Sequence, residues 1–223
     1  PESAAAGAEW WLHRKDFMGN VATALAQRLL DGADIDPVAL ARALKQALDE
    51  KHVLIYLDDS DALTLLRQRN WDGALPALER FGDFLMVVDS NVGFNKVDTH
   101  VERAIDYRVD LSNLDAPVAR LEVRYRHGFQ RPVGACVQEA RYGEDYADLT
   151  ERCYWDYVRA VVPPGSELLR HPDTPLPPGS LLARDVDGMP PPPVSPWVDV
   201  GSMPAWTAFF ALPSAEEQVL VWD

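Results

Sequence analysis

The sequence predicts an α+β protein, an N-terminal helical layer followed by a mainly antiparallel β-sandwich. Three observations carry that prediction. Apolar residues recur at helical spacing as far as Leu66, alternate residue by residue from Phe84 onward, and are then punctuated by Pro/Gly turns at intervals suited to short strands. The change of period lies between Gly82 and Val101. It divides the chain into a helical/α-β portion over 1–82, expected to be the end of a larger upstream domain, and a β-sandwich-like domain over 83–223 with a proline-rich connection over 171–196.

The elements follow in order. Trp10, Phe17, Val21, Leu25 and Leu29 give one apolar helical stripe, and Gly32 stands where a C-terminal cap belongs. Asp36-Pro37 is a helix start, a capping carboxylate followed by proline in the first turn, and Leu40, Leu44 and Leu48 supply the next stripe. Val53–Leu57 reads as a short strand. Ser60 is the expected cap of a third helix that carries Leu63, Leu65 and Leu66 and ends near Asn70, before a turn at Trp71-Asp-Gly73. Phe84–Val88 reads as a buried strand. Ile105, Tyr107, Val109 and Leu111 alternate with charged residues, as do Leu121, Val123 and Tyr125, which is the pattern of strands with one dry face and one wet face. Tyr154–Val162 is a strand stopped by Pro163-Pro-Gly165, Asp185–Gly188 offers a tight turn, and Trp206–Leu212 and Gln218–Trp222 complete the series. Pro190–Pro193 is expected to form a rigid polyproline II connection.

Composition excludes several classes. A formal charge of −14 over 223 residues, with no basic stripe, opposes binding to nucleic acid or to an anionic membrane surface. No apolar run is long enough to span a bilayer, so contact with a membrane is expected only through a segment outside this chain. The start at Pro1 and the strand-like end at Asp223 give the expectation of a piece of a longer protein.

Sites of chemistry are few. Asp89, Asn91, Asn95 and Asp98 crowd oxygen ligands into one loop, a candidate cation site, but the spacing is not that of an EF-hand, and Asp and Asn equally favour structured turns. Lys96 in the same loop is expected to pair with Asp89 or Asp98. Asp58, Asp59 and Asp61 after the predicted strand read as helix-capping carboxylates. The five histidines form no metal or catalytic pattern, Ser166 lacks the setting of a nucleophile elbow, and no glycine-rich phosphate loop is present. No catalytic residue, metal or cofactor is therefore assigned. Trp155, Tyr157, Tyr154 and Tyr142 read as sandwich core, with a sugar-binding aromatic platform as the alternative. The two cysteines, Cys136 and Cys153, are compatible with a disulfide or with two separate buried thiols.

In series, Arg14-Lys-Asp-Phe17, Glu50-Lys-His-Val-Leu-Ile-Tyr56, Asn70-Trp-Asp-Gly73, Val88-Asp-Ser-Asn-Val-Gly-Phe-Asn-Lys96, Ile105-Asp-Tyr-Arg-Val-Asp110 and Tyr157-Val-Arg-Ala-Val-Val-Pro-Pro-Gly-Ser166 resemble the C-terminal part of the bacterial DUF4012 family, a domain of unknown function. The resemblance implies a cell-envelope protein on the extracytoplasmic side, anchored by an N-terminal membrane helix that is not in this chain. It also implies a Cys136–Cys153 disulfide, because such bonds persist in oxidising compartments. Its expected partners are other envelope or membrane-complex proteins. The N-terminal helices are also distantly similar to the end of the LytR-CpsA-Psr domain, whose members handle pyrophosphate-linked glycans through basic residues. Arg14 and Lys15 would be the corresponding ligand-binding candidates, with the remaining chemistry upstream. The expected role is a non-catalytic structural or protein-interaction module; the alternatives are part of such a glycan-transfer enzyme and a carbohydrate-binding module.

Overall fold

The computed structural model describes residues 16–32, 36–75, 82–131, 134–139, 146–183 and 194–223. The chain is α+β and divides into two compact units, Pro1–Pro76 and Ala77–Asp223.

In the first unit, α1 (Asp16–Asp31) ends at Gly32, whose φ of 61° is the left-handed conformation that glycine adopts without a Cβ penalty. α2 (Pro37–Asp49) begins as its sequence dictates, with the Val38 N–H donating to the Asp36 carboxylate at 2.9 Å and proline in the first turn. α3 (Ser60–Gln68) differs from expectation by one residue. Asp59 is its cap, accepting the N–H groups of Asp61 and Ala62 at 3.1 and 2.9 Å, and Ser60 is the first helical residue. A carboxylate also meets the positive end of the helix dipole, which a hydroxyl does not.

The strand expected at Val53–Leu57 does not form. No described strand lies in this unit to pair with it, and a lone strand has no ladder to satisfy its backbone. The Ile55 N–H instead donates to the Trp71 carbonyl at 2.9 Å, while the Trp71 indole N–H donates to Asp49 at 2.9 Å. No residue of α1, α2 or α3 is buried, and Phe17, Val21 and Leu25 on α1 are 60–63% exposed. Trp10 lies outside the described residues.

The second unit holds β1 (Met86–Val88), β2 (Val101–Asp110), β3 (Val118–His127), the short α4 (Tyr146–Thr150), β4 (Tyr154–Val161), β5 (Trp197–Val200), β6 (Met203–Leu212) and β7 (Glu217–Trp222). The strands form two sheets, ordered β1-β4-β6-β5 and β2-β3-β7, and every pairing is antiparallel. Leu121, Val123 and Tyr125 of β3 and Leu220 and Trp222 of β7 meet Tyr154, Val158 and Ala160 of β4 and Ala208, Phe210 and Leu212 of β6 in one core. This is a sandwich built by period-2 alternation. β5 was not anticipated: four residues beside a proline run carry little periodicity, and the strand is defined by its pairing with β6, Trp197 opposite Trp206. The expected turn at Asp185–Gly188 and the Pro190–Pro193 segment lie outside the described residues. Among those described, no helix is long and apolar enough to cross a membrane.

Candidate functional site

β4 is buried on both faces. Its second face, Trp155 with Phe209 of β6, is covered by irregular chain rather than by a sheet. Cys136 and Cys153 form a disulfide against this cluster, with Cα atoms 5.6 Å apart. The cover is held further by Gln138, whose side-chain amide donates to the Val92 carbonyl at 2.7 Å and accepts the Leu181 N–H at 2.9 Å. Gly179 lies so close that a Cβ there would stand 1.9 Å from the Cys136 carbonyl oxygen. Only glycine permits that approach. Trp155 and Tyr154 are core residues, 1% and 4% exposed, and face opposite sides of β4; Tyr142 lies outside the described residues. Trp155 and Tyr154 therefore offer no platform for a sugar ring.

A polar cluster sits in the sandwich core. Asp156 occupies an inward position of β4 between Tyr154 and Val158 and is wholly buried. Its Oδ1 accepts the Ser90 N–H at 2.9 Å, while its Oδ2 has no well-formed hydrogen bond although the Tyr154 hydroxyl and the Asp89 carboxyl lie beside it. Burial foremost, and then the neighbouring charge of Asp89, push the Asp156 carboxyl up to about 8. Asp89 is better served. The Tyr125 hydroxyl donates to it at 2.6 Å from β3, and Arg103 of β2 pairs with it. Burial, with help from the facing carboxylates, raises both Tyr125 and Tyr154 above the ordinary phenol range, so both remain protonated donors. Two carboxyls, two phenols and an arginine thus link both sheets through the core.

This cluster lines neither of two surface hollows, one of about 680 Å³ around Arg108, Val118, Leu169 and Asp223, and one of about 450 Å³ between Lys45 and Trp71. A substrate in either hollow would not touch it, and the arrangement is that of an interior polar tie between sheets.

The loop singled out for its oxygen ligands separates into two parts. Asn91 donates to Asn95 and Asp98, each at 2.9 Å, and accepts the Gly93 N–H at 2.8 Å; Asn95 in turn accepts the Val97 N–H and donates to the Cys153 carbonyl, both at 3.2 Å. Those oxygens close a turn on themselves. Asp89 faces the core, and its cation is Arg103, not the expected Lys96. Among the described residues no group of three or more acidic, histidine or cysteine side chains could hold a metal. Arg14 and Lys15 lie outside the described residues.

The surface that stands out is the free edge of β2. β1 and β5, the edges of the first sheet, have three and four residues, and β7 is tied at its end by backbone bonds between Asp223 and Leu169 and Arg170. β2 has ten residues, pairs with β3 on one side, and has no described strand on the other. Its core-directed side chains, Val101, Arg103, Ile105, Tyr107 and Val109, stand opposite His127, Tyr125, Val123, Leu121 and Ala119. Val101 and Tyr107 pack against the core, and the Tyr107 hydroxyl donates to Asp83 at 3.0 Å, yet Ile105 is 45% and Val109 37% exposed while Val123 of β3 is fully buried. Its other face carries a charge lattice: Glu102 with Arg126, Arg108 with Asp106, Arg124 with Glu122 and Glu217, and Arg120 with Asp223. The sequence showed the strand but not the edge, since edge position depends on strand order. The signal for the interior cluster was available: Asp156 is a carboxylate at an inward position of an otherwise apolar alternation.

No family model matches the chain, and neither does any curated protein or solved structure.

Proposed function

We propose that this chain is a non-catalytic interaction module on the extracytoplasmic side of a bacterial cell-envelope protein, and that it works through the free edge of β2. The observation that carries this reading is a ten-residue edge strand that no described strand pairs on its outer side, with Ile105 and Val109 of its inner face partly exposed. An extended segment of a partner can add to such an edge, main-chain hydrogen bonds supplying affinity and alternate side chains supplying selectivity. The location is supported by the Cys136–Cys153 disulfide, a bond favoured outside reducing compartments, and by the motif resemblance to the DUF4012 family. In the same reading the helical unit completes a larger upstream domain, which would cover the exposed stripe of α1.

The test is a photo-crosslinking amino acid placed at Val109 in the intact protein in its own cells, with Arg124 on the charged face as control. Discrete adducts with envelope proteins, or with a second copy, are expected from Val109 and not from Arg124. Absence of adducts from Val109, or the same adducts from both sites, would sink the reading.

A further inference from the structure

We infer that the strand taken up by β2 is β2 of a second copy, joined antiparallel about a two-fold axis at Ile105 to give a continuous sheet ordered β7-β3-β2-β2-β3-β7; this rests on the reading of β2 as an interaction edge. Two-fold pairing of an edge strand with itself is isologous, so the strand must be complementary to its own reverse. Side-chain parity restricts the choice first. A register centred between residues would set Ile105 beside Asp106 and run each apolar face into the partner's charged face. A register centred on a residue keeps like faces together.

Charge then separates the centred registers. Centring on Ala104 sets Glu102 against Asp106, and centring on Asp106 sets Glu102 against Asp110 and Asp106 against itself. Directly opposed like charges are destabilising. Centring on Ile105 sets Glu102, which holds Arg126 in its own chain, against Arg108, which holds Asp106, so that the exposed pairs extend across the seam twice by symmetry, while Val101 meets Val109, Arg103 meets Tyr107, and Ile105 meets Ile105 on the apolar face. Centring on Tyr107 also pairs opposite charges, Asp106 with Arg108, but it leaves Val101 and Glu102 unpaired and uses less of the strand. The Ile105 register covers the two exposed apolar residues of the core-directed side, Ile105 and Val109. Arg103 does not stand in the way as an unpaired inward charge, because Asp89 already answers it. Nor does the chain's net charge of −14 concentrate here: β2 sets Arg103 and Arg108 against Glu102, Asp106 and Asp110.

Sedimentation velocity of the 223-residue chain across a concentration series tests the inference, with Glu102→Arg, Arg108→Glu and the double exchange, each checked for an unchanged far-UV spectrum. A reversible dimer is expected. Either single reversal should raise its dissociation constant about tenfold, since two symmetric cross-strand pairs are lost. The double exchange should restore it. In the Tyr107-centred register the double exchange would set a new carboxylate against Asp106 and would not restore, so that outcome overturns the register proposed. Hydrogen exchange gives an independent reading, with concentration-dependent protection expected in residues 101–109. A chain that stays monomeric, or a dimer indifferent to these charges, overturns the inference. A monomer that still gives adducts with another protein from Val109 would leave the interaction module standing with a different partner; a monomer without adducts would remove both.

Discussion

At the scale of single residues, two buried titratable groups act on stability with opposite sign. Asp156 has a folded pKa raised from the usual carboxylate value to about 8. The folded state therefore holds a proton that the unfolded state releases above about pH 4, so this group's contribution is fully present at low pH and is lost as pH rises through 8. Asp156→Asn keeps an acceptor for the Ser90 N–H and removes the buried charge. It should stabilise the protein above pH 8 by roughly 1–3 kcal/mol relative to the parent and by much less near pH 4. Thermal melts at the two pH values check this; a gain that does not depend on pH would contradict it.

His127 behaves the other way. Burial lowers its pKa, and its ring is fixed at both nitrogens, Nε2 against the Arg152 carbonyl at 2.9 Å and Nδ1 accepting the Phe129 N–H at 3.3 Å. The stability it supports is present above about pH 6.5 and is lost as pH falls through its lower folded value. Nitrogen-detected NMR should find a neutral imidazole with the proton on Nε2 that titrates below 6.5; a charged ring at pH 6.5 would be inconsistent with this setting.

At the scale of elements, the strands were legible where alternation is long. The alternation of Ile105 to Leu111 and of Leu121 to Tyr125 and the apolar runs Trp206–Leu212 and Gln218–Trp222 mark β2, β3, β6 and β7, although β2 and β6 begin earlier, at Val101 and Met203. What failed did so for physical reasons. Val53–Leu57 has the composition of a strand but no partner, and pairing rather than propensity makes a strand. β5 has a partner but too few residues to show a period. The cover over Trp155 is irregular chain, so it left no periodic trace, and its fixed points are particular residues: Gln138, Gly179 and the disulfide. That bond joins positions 17 apart. Replacing both Cys136 and Cys153 with serine should cost about 3 kcal/mol in the chain-entropy account. Chemical denaturation of the purified variant measures it, and a loss near zero would mean that the cover is held without the bond.

At the scale of the whole molecule, the candidate site was half legible. The sequence marks the loop Asp89–Asp98 and presents its four oxygen-bearing residues as one group, whereas the fold sends Asp89 into the core and keeps Asn91, Asn95 and Asp98 in a turn. The split depends on β2 and β3 arriving beside Asp89 with Arg103 and Tyr125, a contact made across the chain and invisible to local spacing. The acidity of the chain likewise conceals an order that only three dimensions reveal. One sheet face interleaves arginines with carboxylates, and its separate surface pairs are each worth less than about 1 kcal/mol, so their value lies in solubility and selectivity more than in stability.

The packing of Trp155 beside the Cys153 disulfide has an optical consequence. A disulfide accepts an electron from an excited indole, so this tryptophan should be nearly dark in the intact protein. Reduction should brighten it even before the chain unfolds. With seven tryptophans in the chain, the change would be read as a rise in total indole emission when the bond is reduced, and its absence in the Trp155→Phe variant would assign it to this pair.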